Sequence, residues 1–577
     1  MNLQKTDFKN PLQLASWLFC RDPWASARFT AGGLLASLLE IFSYGSLLPI
    51  VQFVTTKVEN QNGLVRQLNR VVQLMGMEEK LSSYLMIFGV ISLLSALVYI
   101  LLDFDRGRFI SKLDRELRLG FMHQVIKAKW ELLSRLNHGD VMNAMTREMD
   151  LCRQSYHYVF LVFSQSLLAL FFLGLMCYIN PTFFVVTFLL LLITYPLAWP
   201  MIQWSKRVAQ VATVNASAYS DGSVNAVRAL KNIKASSLED YLMAKIEPLA
   251  TRVSKDYYKN SFVVTAIRYR FFELIGLFVI CMLLYLSIER FKVPVAEVLV
   301  SIAILFRLIP TVSSLMSYLS YIVSSLASFD FLNNFMLECP TESESFGENL
   351  ETVREISFRE VSFGYPRASL TVKNLSVTIR KGEFWAICGP TGVGKSTILD
   401  LCDQLFKPNH GKILFDGKDS ILISPRAVHR RIAYLTQHHY LFAGTLRENL
   451  LWGIERVVAQ DELHRAIELA QLKNFVETKT LDFLITESAQ NLSGGERQRI
   501  ALARTLLTRA DFILMDEPSS ALDLHTETLL FEALLALKGS VGLLVITHRP
   551  EFLQHIDGVI HLSSGCARIE VAKGIQG

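Results

Sequence analysis

Gly389-Pro390-Thr391-Gly392-Val393-Gly394-Lys395-Ser396-Thr397 decides the reading of this chain. It fits G-x-x-x-x-G-K-[ST], a glycine-rich turn whose backbone N–H groups cradle phosphates. The apolar run Phe384-Trp385-Ala386-Ile387-Cys388 before it reads as a buried strand. Thr397-Ile398-Leu399-Asp400-Leu401 after it reads as the first turns of a helix. A turn between the two exposes successive N–H groups to an anion, and the helix N-terminus adds a favourable dipole. On this pattern Lys395 reaches the β- and γ-phosphates and the Ser396 hydroxyl ligates Mg²⁺. The loop alone leaves the class open, because GTPases, kinases and motor proteins share it.

What precedes the loop looks like membrane. Of 577 residues, 51% are hydrophobic and only 19% are charged, where soluble domains carry about 25% charged residues. The deficit lies in residues 1–335. A net charge of +5 is small for this length and gives no case for nucleic-acid binding. None of the eight cysteines forms a C-x-x-C pair or sits in a Cys/His cluster with metal spacing. The first ten residues are polar, and the apolar patch Leu12–Cys20 is short, so no cleavable signal peptide is expected.

A spanning helix needs about 20 mostly apolar residues, and six segments qualify: Phe29–Val54, Tyr84–Leu102, Tyr158–Ile179, Thr182–Ile202, Phe262–Ile288 and Pro294–Leu326. Asn180-Pro181 marks a tight turn between the third and fourth. Two connections, Asp103–His157 and Gln203–Arg270, are long, charged and rich in helix formers. Arg106, Arg108, Lys112, Arg115 and Arg118 load the first, and Lys206, Arg207, Arg228, Lys231 and Lys234 load the second. By the positive-inside rule both face the cytoplasm, and so do the N-terminus and the C-terminal half. The expected localisation is therefore the inner (cytoplasmic) membrane, multi-pass. Trp17–Trp24 mixes Trp, Phe, Arg and Asp and reads as an interfacial helix on the inner leaflet. Around Cys339–Glu351 the composition turns to Pro, Ser, Glu and Gly, which sets the expected domains at 1–335, a linker at 336–351, and 352–577.

Beyond the linker, Glu355–Tyr365 alternates as a half-buried strand does and ends in an aromatic ring able to stack on adenine. Tyr434-Leu435-Thr436-Gln437 is a strand ending in an amide. Leu492-Ser493-Gly494-Gly495-Glu496-Arg497-Gln498-Arg499 opens a helix. Phe512-Ile513-Leu514-Met515-Asp516-Glu517-Pro518 is an apolar strand ending in two carboxylates, followed by Ser519-Ser520-Ala521-Leu522-Asp523. Leu543–Thr547 is another apolar strand and delivers His548. Phosphoryl transfer needs positioned phosphates, a metal, an oriented water and charge stabilisation. Asp516 can hold the Mg²⁺ shell, Glu517 can polarise the attacking water, His548 can bond the γ-phosphate, and Gln437 can contact both metal and water.

This set, in this order, resembles the ATP-binding cassette (ABC) ATPase family, with LSGGERQR as its signature. The resemblance makes Tyr365 the A-loop aromatic, Gln437 the Q-loop, Asp516 Walker B, Glu517 the catalytic carboxylate, Asp523 the end of the D-loop and His548 the switch histidine. It implies ATP and Mg²⁺, with Lys395 and the whole of Gly389–Thr397 on the phosphates. It further implies that Ser493, Gly494 and Gly495 meet the γ-phosphate bound by a second subunit, so that a dimer is required. Every catalytic position is of a competent type, which makes a homodimer the simplest arrangement. The membrane half resembles the exporter branch: an α-helical domain of six transmembrane helices with long cytoplasmic extensions, fused to one α/β cassette. Gly139-Asp140 with Arg147 and Asp150 matches the family's first coupling region, and Ala226–Glu239 its second. Two departures stand out. Thr486-Glu487-Ser488-Ala489 replaces a Gly-Glu-Arg-Gly stretch, and Glu496 replaces a more usual Gln.

The cargo is less legible. Ionisable residues inside spans are costly and mark function by default; here they are Glu40, Glu273 and Arg307. Arg307 sits three residues before Pro310 and suits either an anionic headgroup or diphosphate, or an ion pair with Glu273 or Glu40. The stretches around Glu40 and Arg307 are similar to those of bacterial lipid-linked oligosaccharide flippases. The chain starts with no peptidase domain, which counts against a leader-cleaving peptide exporter. The cargoes rank as a lipid or lipid-linked glycan, then a hydrophobic drug, then a small peptide. An ATP-gated channel or a regulatory membrane ATPase is the competing class.

Overall fold

The computed structural model describes residues 8, 10–55, 63–74, 76–78, 80–136, 138–265, 272–286, 289, 294–338, 347–365, 370–519, 524–547, 555–563 and 565–571. The chain divides into two compact units, with the change at Thr341–Glu342.

The first unit is all helix. Among the described residues, four helices are long and apolar enough to cross a membrane: Pro23–Phe53, Leu81–Ile126, Gly139–Ile179 and Val295–Leu337. Of the other two expected spans, Thr182–Ile202 falls on helix Pro181–Arg228, and Phe262–Ile288 falls on helices Glu239–Thr265 and Phe272–Leu286, between which residues 266–271 lie outside the described residues. Asn180 starts the former as expected: its Oδ1 accepts from the N–H groups of Thr182 and Phe183, satisfying donors the helix cannot pair itself. The helices run far past the apolar segments, to 46 and 48 residues at Leu81–Ile126 and Pro181–Arg228. Gly139, in the first long connection, lies so close to Asp221 that a Cβ would meet its backbone at about 2.5 Å.

In the N-terminal stretch, Trp17–Trp24 is shared between two helices. Helix Pro11–Arg21 ends at Asp22, whose side chain caps a new helix at Pro23 by accepting from Ala25 N–H. Leu14 and Leu18 are fully buried, and Trp17 stacks on Tyr156. One apolar face of this helix thus packs on the bundle, while Leu12 on it stays exposed.

The second unit is built on a ten-stranded mixed sheet. Its strands are β1 (Glu355–Phe363), β2 (Val372–Arg380), β3 (Phe384–Cys388), β4 (His410–Phe415), β5 (Lys418–Asp419), β6 (Ile432–Leu435), β9 (Phe512–Asp516), β10 (Gly542–Ile546), β11 (Gly558–Ser563) and β12 (Cys566–Val571). β7 (Gly444–Thr445) and β8 (Leu484–Ile485) pair separately. The order is β5-β4-β1-β2-β12-β11-β3-β10-β9-β6. β11, β3, β10, β9 and β6 run parallel, while β4, β1 and β2 are antiparallel. β3 is apolar throughout because both faces are covered. Phe384 and Ala386 enter one core with Ile500, Leu502 and Leu507, whereas Trp385 and Ile387 enter the opposite core with Ile398, Leu399 and Leu401.

Candidate functional site

Four adjacent parallel strands, β3-β10-β9-β6, release their chains at the same sheet edge. In open α/β sheets ligands bind outside the carboxyl ends of such strands. The register aligns Ile387 with Ile546, Ile546 with Asp516, and Leu435 with Met515. The phosphate loop, the Asp516–Glu517 pair and the Thr436-Gln437 segment therefore leave the sheet side by side.

The loop from Gly389 to Gly394 needs its glycines. Gly389, Gly392 and Gly394 have φ of +153°, +80° and +106°. A Cβ at Gly389 would meet Leu562 O at 2.5 Å, and one at Gly394 would meet Thr371 Cγ2 at 2.5 Å. Pro390, Thr391 and Gly392 are exposed, Val393 is half-buried, and Gly394 caps helix Lys395–Cys402. Lys395 is buried, and its Nζ donates to Gly389 O at 2.8 Å, folding back across the loop. Thr397 is buried under the loop, and its hydroxyl bonds the Tyr365 hydroxyl at 3.2 Å. Tyr365 packs edge-on against Phe363 and Phe406 and stays 38% exposed, so an aromatic surface remains beside the loop.

Asp516 is buried at the end of β9, and burial pushes its carboxyl up from the ordinary aspartate range. A hydrogen bond from Ser396 opposes that shift, and the neighbouring Glu517 charge adds to it. Glu517 follows with φ +51°, a left-handed conformation that costs a non-glycine residue about 1–2 kcal/mol. Such strain persists where surrounding contacts fix it, and here Gln498, buried in helix Gly494–Leu507, bonds the carbonyls of Glu517 and Pro518. Gln437 Nε2 donates to Glu517 Oε2 at 3.3 Å. Ser396, Asp516 and Gln437 thus bring oxygen donors together beside the loop, the donor chemistry that Mg²⁺ takes. Asp523 and His548 lie outside the described residues.

Ser493 and Glu496 form a capping box: Ser493 Oγ accepts from Glu496 N–H, and Glu496 Oε2 accepts from Ser493 N–H. Glu496, a departure from the family pattern, has its role in this cap. Ser493 is exposed and Gly494 and Gly495 are half-buried. In the other departure, Ala489 takes φ +51° where the pattern has glycine.

In the helical unit, Arg307 Nε donates to Glu40 Oε1 at 2.6 Å, and the Tyr99 hydroxyl donates to Glu40 Oε2 at 3.0 Å. Glu40 is buried, while the Arg307 side chain is 44% exposed. Of the two pairings open to Arg307, the structure holds the one with Glu40. The Glu273 side chain lies outside the described residues. Tyr99 carries a signal the sequence reading missed. Ser92, Ser95 and Tyr99 recur at helical spacing in an apolar run and bond Ser43, the Ala36 carbonyl and Glu40.

Residues 33–326 match the family described as ABC transporter transmembrane region, and residues 372–520 match the family described as ABC transporter. The Beta-(1→2)glucan export ATP-binding/permease protein NdvA of Rhizobium meliloti (strain 1021) is 32% identical over 284 residues, covering 48% of each chain. The Heterocyst differentiation ATP-binding protein HepA of Nostoc sp. (strain PCC 7120 / SAG 25.82 / UTEX 2576) is 25% identical over 438 residues, 74% of this chain and 71% of that one. The chain spans about half the length of the glucan-export relative it matches. Its fold resembles a solved structure of a bacterial Atm1-family ABC exporter with ATP bound (TM-score 0.78, 19% identity, 95% of this chain and 94% of that one).

Proposed function

The chain belongs to the ABC transporter family, and on that premise we propose that two copies of it form an ATP-hydrolysing exporter for an amphipathic cargo, a lipid or lipid-linked glycan. One observation carries the hydrolytic reading: a single sheet edge gathers the phosphate loop, Gln437 and the Asp516–Glu517 pair. Backbone N–H groups of Gly389–Gly394 and Lys395 bind the phosphates, and Tyr365 stacks on the base. Ser396, Asp516 and Gln437 would hold Mg²⁺, which would supply charge neutralisation to the phosphates. Glu517, with Gln437 at its carboxylate, accepts a proton from the attacking water, and His548 stabilises charge on the γ-phosphate. Ser493, Gly494 and Gly495 cover the γ-phosphate on the second copy, and Asp523 lies at that junction.

In the membrane domain a charge facing lipid is unfavourable, so the exposed part of Arg307 points to water, to another copy or to an anionic group of the cargo. Among the described residues Glu40 takes up Nε alone, and the two terminal nitrogens of Arg307 suit bidentate contact with such a group. Glu273 is the third candidate for that role. A lipid-linked glycan supplies both the anion and the apolar chain, and the glucan-export relative supports a saccharide cargo. The setting is the cytoplasmic membrane, with the cassette facing cytoplasmic ATP.

ATPase rates of the chain in lipid nanodiscs, against a panel of lipid-linked glycans, lipids, drugs and peptides, test the proposal. Glu517→Gln is expected to bind ATP but turn over about 10²–10⁴-fold more slowly, the contribution of a general base. Near-normal hydrolysis by that variant would remove Glu517 from its role. A basal rate unmoved by every cargo class would favour a channel or regulator over an exporter.

A further inference from the structure

The phosphate-loop helix and strand β6 are joined by a hydrogen bond that the chemistry above does not use. The Tyr434 hydroxyl donates to Asp400 Oδ1 at 3.1 Å. Asp400 stands one turn after Ser396 on helix Lys395–Cys402, and residues four apart on a helix share a face. Tyr434 lies in β6, three residues before Gln437. The bond therefore connects the two segments that carry Ser396 and Gln437, two of the three oxygen donors that suit Mg²⁺.

The alternation of β6 explains how the bond arises. Successive strand residues point to opposite faces. Ala433 and Leu435 enter the core that holds Leu446 and Ile500. Tyr434 packs on the opposite core, which holds Ile398, Leu399 and Leu401 of the phosphate-loop helix. A phenylalanine would fill that position as well, but a phenol inside a core needs a partner, and Asp400 supplies it. Burial pushes the Asp400 carboxyl up to about 6; the Tyr434 bond opposes the shift and the Asp516 charge adds to it. Asp400 thus lies within electrostatic reach of the third donor. Ser396 and Gln437 are both exposed, and Gln437 comes two residues after Leu435, the last buried residue of β6. Their placement therefore follows from how the helix and the strand end are held. Mg²⁺ demands near-ideal octahedral geometry, so that holding matters.

We propose that Asp400 and Tyr434 are positioning residues of the nucleotide site: their bond fixes the helix that bears Ser396 against the strand that leads to Gln437, so that both donors serve one Mg²⁺. The inference rests on the hydrolytic reading above and adds two residues outside its donor set.

The test uses the full chain in nanodiscs and a fluorescent, non-hydrolysable ATP analogue, titrated once with Mn²⁺ and once with EDTA. The ratio of the two affinities is the contribution of the metal. Outer contacts that orient metal ligands are worth about 10- to 100-fold in metal affinity. Tyr434→Phe is expected to lower the ratio about tenfold, with the affinity in EDTA at the wild-type level. Asp400→Ala should do the same, and Asp400→Asn, which keeps an acceptor for the phenol, should recover most of the loss. A wild-type ratio in Tyr434→Phe overturns the proposal. A parallel fall of both affinities also overturns it, because the bond then supports the fold alone. An Asp400→Asn ratio as low as that of Asp400→Ala overturns it too, in favour of the Asp400 charge. Should Asp400→Ala fail to fold, Tyr434→Phe, which removes one oxygen, decides. Ser396→Ala tests the underlying reading: an unchanged ratio there removes the metal site itself, whereas a lowered ratio beside an unchanged Tyr434→Phe removes only the positioning pair.

Discussion

At the residue scale, the phosphate loop is governed by conformations that only glycine takes without strain. Gly394 combines φ +106° with a Cβ position 2.5 Å from Thr371 Cγ2. Gly394→Ala should therefore distort the loop, and at about 1–2 kcal/mol of backbone strain ATP affinity should fall about 5- to 30-fold, measured with a fluorescent nucleotide. Asp403, at the end of the loop's helix, gives a pH-dependent case. Burial pushes its carboxyl up to about 7, partly offset by His429 and reinforced by Asp400, and Oδ1 has no hydrogen-bond partner. The unfolded value is about 3.9, so the folded chain holds the extra proton between those limits. Stability is greatest at low pH and falls as pH rises toward 7. Asp403→Asn should accordingly stabilise the cassette by about 1–3 kcal/mol more at pH 8 than at pH 5, read from the urea dependence of hydrogen exchange in β3. The loop was legible because all its chemistry is contiguous. Asp403 was not, because its burial comes from the fold. The same holds in the membrane unit, where Glu40 and Arg307 stood out as ionisable groups, but the choice of partner and the Tyr99 bond depend on how three helices pack.

At the element scale, the helix Gly494–Leu507 begins where the proposed second phosphate contact lies. The Ser493–Glu496 box satisfies two N–H groups that the helix cannot pair internally. Losing a cap costs about 0.5–2 kcal/mol. Glu496→Ala should thus speed hydrogen exchange of the first helical turn about 2- to 30-fold, while Glu496→Gln, which keeps an acceptor, should leave it near wild type. Equal exchange in all three would remove the cap from the account. Strand starts and ends were legible to within a few residues where both faces are buried: Phe384–Cys388 was read in full, and β9 and β10 stop one residue short of the expected ends. In the N-terminal Trp17–Trp24 segment the helix break at Asp22 was not read. Its amphipathic composition says that an apolar face must be covered, not by what, and Tyr156 covers Trp17 from far along the chain.

At the scale of the whole molecule, the order of parallel strands brings the phosphate loop, Gln437 and the Asp516–Glu517 pair together in a single chain. The proposed second phosphate contact, at Ser493, is occupied with its own helix: it caps Glu496 and stays exposed. If that exposed cap completes the site of a second copy, ATP must bring Ser493 of one chain to the phosphate loop of another. A Gly392→Cys chain mixed with a Ser493→Cys chain reads this directly. Both carry Glu517→Gln, with the exposed Cys20, Cys177, Cys281 and Cys566 changed to Ser. Gly392 suits the purpose because a Cβ there meets nothing within 4 Å, although its φ of +80° adds strain of about 1–2 kcal/mol. A short bis-maleimide should link the two chains with ATP present and leave them largely unlinked without it. Linkage that ignores ATP would mean a standing contact rather than a closing site. No linkage in either condition, with ATP binding retained, would mean that each chain completes its site in some other way.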